Sequence, residues 1–100
     1  LSLSNLGRYR EAVADLDRAV EIDRLYADAY HNRGVAHANL AEYEKAIEDF
    51  TASLDIEPSG GAYMNLAMAQ RMSGRDKEAQ ESFSAAWRLG VREAGQYLRK

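Results

Sequence analysis

Apolar and small residues recur along this chain at helical spacing. Tyr9, Ala12, Val13, Leu16 and Val20 follow the i, i+3, i+4, i+7 rhythm that lays one stripe along one face of a helix. Arg10, Glu11, Asp15, Asp17 and Arg18 fall between them and belong in water. The stripe then repeats. Adding 34 to Tyr9, Ala12, Val13, Leu16, Val20 and Ile22 gives Tyr43, Ala46, Ile47, Phe50, Leu54 and Ile56, each of the same chemical type. Adding 33 to that second set reaches Ala79, Phe83, Trp87 and Leu89, while Asp76 and Gln80 break the match. The intervening segments align too, because Tyr30, Gly34 and Ala36 map by 33 onto Tyr63, Ala67 and Ala69. The one-residue shortfall falls in the connection Glu57-Pro58-Ser59-Gly60-Gly61.

The breaks agree with the period. Pro58 is the only proline; it lacks an N–H and pushes Glu57 out of helical geometry. Gly7 and Gly74 stand at the other kind of turn, where glycine accepts the left-handed conformation that ends a helix. The equivalent slot in the middle unit is Ala41, so a strained or differently built turn is expected there. The spacing predicts a helix remnant at 1–6 and helices at about 9–23, 27–40, 43–56, 61–73 and 76–89, with a last short one at about 92–99. No alternating strand pattern is present. The fold class is all-α, with consecutive helices paired as antiparallel hairpins.

These residues resemble the tetratricopeptide repeat. The middle unit carries the fullest match: Ala29-Tyr30-x-Asn32-Arg33-Gly34-x-Ala36, then Leu40, Tyr43, Ala46-Ile47, Phe50, Leu54, Ile56 and Pro58. The resemblance implies tandem hairpins stacked as a right-handed α-solenoid in a single domain. Residues 1–25 form a truncated first repeat, 26–58 a second and 59–90 a third, and 91–100 a capping helix. There are departures. Arg24 replaces the first repeat's proline, Arg33 occupies a slot that is usually leucine, and Asp76 stands where Tyr9 and Tyr43 do.

Composition narrows the function. Apolar residues make up 46% and charged residues 29%, which suits a folded soluble domain. A net charge of −3 argues against a nucleic-acid footprint, and no apolar run approaches a membrane span. With no cysteine there is no thiol chemistry. That absence, with no targeting signal in view, fits a cytoplasmic protein.

The resemblance implies a scaffold whose first helices line a concave groove that takes a peptide or helix of a partner protein. The positions that would look inward are His31, Asn32, Val35 and Asn39 in the second repeat. In the third they are Met64, Asn65, Met68, Arg71 and Met72. Asparagine amides suit an extended backbone, and methionines give an adaptable apolar floor. A two-carboxylate clamp, as in one subfamily, is not expected, because Gly61 and Asn65 stand where its cations belong.

No enzyme, cofactor or metal is expected. His31 and His37 are six apart, about 240° around a helix at ~100° per residue, and cannot converge on one ion. Asp15/Asp17, Glu48/Asp49 and Asp55/Glu57 are read as a solvated face, and Lys45/Asp49 and Lys77/Glu81 as i, i+4 ion pairs. Two alternatives stand beside the groove reading. One is a structural spacer or self-association element, with Leu1, Leu3, Leu6, Val13 and Leu16 partly open at the truncated end. The other is a regulatory domain of an enzyme elsewhere in a longer chain.

Overall fold

A computed structural model describes residues 3–98, with side chains from residue 6 onward. Five α-helices follow one another: α1 (Leu3–Ile22), α2 (Ala27–Asn39), α3 (Tyr43–Ile56), α4 (Gly60–Met72) and α5 (Asp76–Arg88). A 3₁₀ helix spans Arg92–Tyr97. No strand occurs among the described residues. The pairs α2–α3 and α4–α5 are hairpins; α1 packs on α2, and the 3₁₀ helix packs on α5. The result is the expected all-α array of stacked helix hairpins.

The repeat pattern becomes the core. Ala46, Ile47, Phe50 and Leu54 of α3 bury against Ala62, Leu66 and Ala69 of α4. Ala67, Ala79, Phe83 and Ala86 form a second cluster with Ala94 of the 3₁₀ helix. Small residues set the helix spacing. A methyl group on Gly34 would stand 2.7 Å from Phe50 Cε1, so glycine there lets α2 lie against the buried ring. Phe50 and Phe83 are each 1% exposed and anchor the two clusters.

The hairpin turns share one construction. Glu42 N–H donates to the His37 carbonyl at 2.8 Å, and Arg75 N–H to the Gln70 carbonyl at 2.8 Å. Each closing bond needs a left-handed residue just before it. That residue is Gly74 (φ +86°) in one turn and Ala41 (φ +59°) in the other. Ala41 therefore carries the strain expected of it. At the inter-repeat connection Glu57 is extended at φ −146°, as Pro58 requires. Ser59 then caps α4 by accepting a hydrogen bond from the Ala62 N–H.

Three expectations need correction. The turn at Gly7 is absent, because α1 runs through it as one helix from Leu3 to Ile22. Glycine permits a turn without imposing one, and continuing the helix through it adds a backbone bond per residue. The terminal helix is a 3₁₀ helix, Arg92–Tyr97, held by Tyr97 stacking on Phe83 at 4.6 Å. Asp49 belongs to no solvated face. It is 5% exposed and paired with Arg33, while Lys45 turns instead to Glu42 at 3.7 Å. At the first repeat, Leu6, Val13 and Leu16 are half-buried; Leu1 and the side chain of Leu3 lie outside the described residues.

Candidate functional site

A crevice of about 210 Å³ opens between the first hairpin and the helix that follows it. Helix α2 lines it with Val35, Ala38 and Asn39, and α3 with Tyr43 and Phe50. Helix α4 closes it with Asn65, Met68, Ala69 and Met72. The lining is apolar apart from two amides and one phenol. Met72 is 58% exposed, a large apolar side chain left in water at the rim.

One of these polar groups, Asn65, is held in place from behind. Asn65 Nδ2 lies 3.1 Å from His31 Nε2. An amide nitrogen only donates, so Nε2 is the acceptor. His31 also meets the Phe50 ring edge-on at 5.6 Å. It thus positions Asn65 and steadies the floor without lining the crevice itself. Asn65 keeps an amide oxygen and a second N–H.

Five of the nine predicted groove residues come together here: Val35, Asn39, Asn65, Met68 and Met72. The other four do not line the crevice. Met64 packs instead against the C-terminal cluster. Arg71 lies over the Tyr97 ring at 5.2 Å and lines a second crevice with Asp76, Ala79, Gln80 and Phe83. Asn32 is exposed and lines neither. Its counterpart Asn65 on α4 is gripped by α2 through His31, and Asn32 has no such partner among the hydrogen bonds of the described residues. Ala38, Tyr43, Phe50 and Ala69 escaped sequence reasoning as crevice residues. Helical spacing could have found two of them, since Ala38 is i+3 from Val35 and Ala69 is i+4 from Asn65.

Behind this crevice an ionic network ties three helices together. Arg33 of α2 grips Asp49 of α3 through both carboxylate oxygens, at 3.0 and 2.7 Å, and reaches Asp17 of α1 at 3.0 Å. The Asp49 hydrogen bond, more than any other contact, raises the Arg33 pKa above its ordinary value. His37 Nδ1 donates to Glu42 at 3.0 Å, and Glu42 also takes Arg10 at 3.1 Å. Those contacts, His37 first, hold the Glu42 carboxyl below the usual carboxylate value. The network ties α1 to the hairpin that carries two of the crevice's three walls.

Known proteins share this architecture. A family model described as "TPR repeat" matches residues 3–40, and one described as "Tetratricopeptide repeat" matches 27–59. Small glutamine-rich tetratricopeptide repeat-containing protein 2 of Saccharomyces cerevisiae is 32% identical over 75% of this chain. The chain spans only 22% of that relative's length. Among solved structures, MamA AMB-1 is 29% identical with a TM-score of 0.79, covering 82% of this chain and 49% of that one. The second TPR domain of human RPAP3, in complex with the HSP70 peptide SGPTIEEVD, is 26% identical with a TM-score of 0.86. That likeness covers 92% of this chain and 79% of the RPAP3 domain. Repeat period, turn construction and core agree with the family matches, and the chain belongs to the tetratricopeptide repeat family.

Proposed function

We propose that the chain is a non-catalytic protein-interaction module that binds a peptide or helix of a partner protein in its concave groove. One observation carries the reading: the crevice between α2, α3 and α4 combines an adaptable apolar lining with amides that can pair with an extended backbone. At about 210 Å³ it falls below the roughly 300–1,000 Å³ of pockets that enclose small molecules, and it suits a side chain. Its polar groups are two amides and a phenol, with no nucleophile beside a base. The similar RPAP3 domain, solved with a bound peptide, supports the same use.

The test is affinity capture from source cells with the wild-type chain and a Met68→Glu, Met72→Glu variant. Circular dichroism checks that both remain equally helical. Partners lost by the variant place recognition in the crevice. Partners retained equally by both proteins move it to another face and refute the reading.

A further inference from the structure

The two crevices occupy equivalent positions one repeat apart. Adding 33 to Ala38, Tyr43, Ala46, Ile47 and Phe50 gives Arg71, Asp76, Ala79, Gln80 and Phe83. Of these pairs, Ala38/Arg71, Tyr43/Asp76 and Phe50/Phe83 line both crevices, and at the first two the second crevice carries a charged side chain where the first has none. All the charge falls on one side of this division. The apolar crevice has no Lys, Arg, His, Asp or Glu in its lining, whereas the second holds Arg71 and Asp76.

Cations near the crevice in sequence are committed elsewhere, with Lys45 turned to Glu42 at 3.7 Å. Arg33 is held by Asp49 and Asp17, and Arg71 lies over the Tyr97 ring. An acidic segment seated in the apolar crevice would lose water around its carboxylates and find no charged donor there. An apolar side chain would find Val35, Met68 and exposed Met72, flexible enough to close around more than one shape.

We propose that this crevice selects a peptide that inserts one apolar side chain of leucine or methionine size and carries no acidic C-terminal tail. The main chain on either side is hydrogen-bonded by Asn39 and Asn65. The selectivity rests on the peptide-groove reading given above. It also separates this chain from the RPAP3 domain, whose bound peptide ends in Glu-Glu-Val-Asp.

The experiment is selection of a random dodecamer display library on the immobilised chain, with sequencing of the enriched pool. Synthetic versions of the enriched peptides, and SGPTIEEVD, are then titrated by fluorescence anisotropy. The proposal expects enriched sequences that share one apolar position and no acidic terminus. They should bind at least tenfold tighter than SGPTIEEVD and lose at least tenfold on Met72→Glu. Met72 is exposed at the end of α4, so that variant keeps the fold; Val35→Asp provides a second check from the opposite wall. Enriched sequences with acidic C-termini, or tighter binding of SGPTIEEVD, would overturn the selectivity and leave the peptide-groove reading standing. Enrichment of nothing above a bare-support control would overturn both.

Discussion

The α2–α3 and α4–α5 hairpins share a backbone plan but differ in chemistry. Between α2 and α3 the polar contacts are ionic: Arg33 with Asp49, and His37 Nε2 facing Asp49 at 3.7 Å. Thirty-three residues on, those three positions are Leu66, Ser82 and Gln70. There the contact is one neutral hydrogen bond, Ser82 Oγ to Gln70 Oε1 at 2.6 Å, fully buried. The ionic hairpin carries the apolar crevice; the neutral hairpin carries the charged one. The repeat thus fixes where a helix–helix contact and a crevice occur. The side chains at a few positions choose the chemistry of each.

The largest effects belong to what the hairpins share. Phe50→Ala and Phe83→Ala each remove a ring that is 1% exposed, and each should cost about 3–5 kcal/mol in urea denaturation. A loss below about 1 kcal/mol at either site would contradict the assignment of these rings as anchors.

Next come the contacts that differ. Asp49→Ala strands a half-buried guanidinium that keeps Asp17 and the Tyr30 ring but loses its bidentate partner, and should cost roughly 2–4 kcal/mol. Ser82→Ala leaves a neutral buried amide oxygen without its donor, for roughly 1–2 kcal/mol. The double change Arg33→Leu, Asp49→Ser takes two of those three positions to their neutral counterparts and should recover most of the Asp49→Ala loss, because the buried ion pair is gone. If the double variant is less stable than Asp49→Ala, the ionic contact is more than a replaceable version of the neutral one.

Acid should discriminate between the hairpins. Glu42 titrates below its unfolded value of about 4.5, first through His37 and then through Arg10. A lowered carboxyl pKa contributes stability that is present above the unfolded value and lost as pH falls through the folded one. Glu42→Gln should therefore be the less stable protein at pH 7 and converge on wild type as the pH drops below about 4.5. Arg75 takes the equivalent place in the second hairpin and pairs with Glu44 and Glu78 on the surface, so Arg75→Gln should change little. A stability gap for Glu42→Gln that persists into acid would remove this account of the residue.

The smallest effect is at the turns. Ala41→Gly relieves a left-handed alanine and should stabilise by about 0.5–1 kcal/mol. Gly74→Ala introduces the same strain and should destabilise by about 1 kcal/mol. Two changes of the same sign would show that the turns are not equivalent.

Much of this was legible in the sequence, for a physical reason. Helix positions, hairpin pairing and the strained Ala41 all follow from local rules of periodicity and backbone sterics. The continuous α1 was missed because Gly7 was read by analogy with Gly74, although a glycine only permits a turn and does not impose one. Buried Asp49 was missed because its partner Arg33 lies sixteen residues away on another helix. Adjacent charges on one helix give no hint of such a pairing. The crevice was half legible. Helical phase put Val35, Asn39, Asn65, Met68 and Met72 on an inner face, but it could not show that Tyr97 would draw Arg71 aside or that His31 would serve as a brace.

The most direct test of the central claim exchanges the chemistry of the two crevices. Ala38→Arg with Tyr43→Asp gives the first crevice the side chains of the second, and the variant is titrated beside wild type with a peptide selected on the wild-type chain. The account predicts at least a tenfold loss of affinity with the helical content unchanged. Unchanged affinity would show that the peptide does not bind between α2, α3 and α4, and the functional reading would fall.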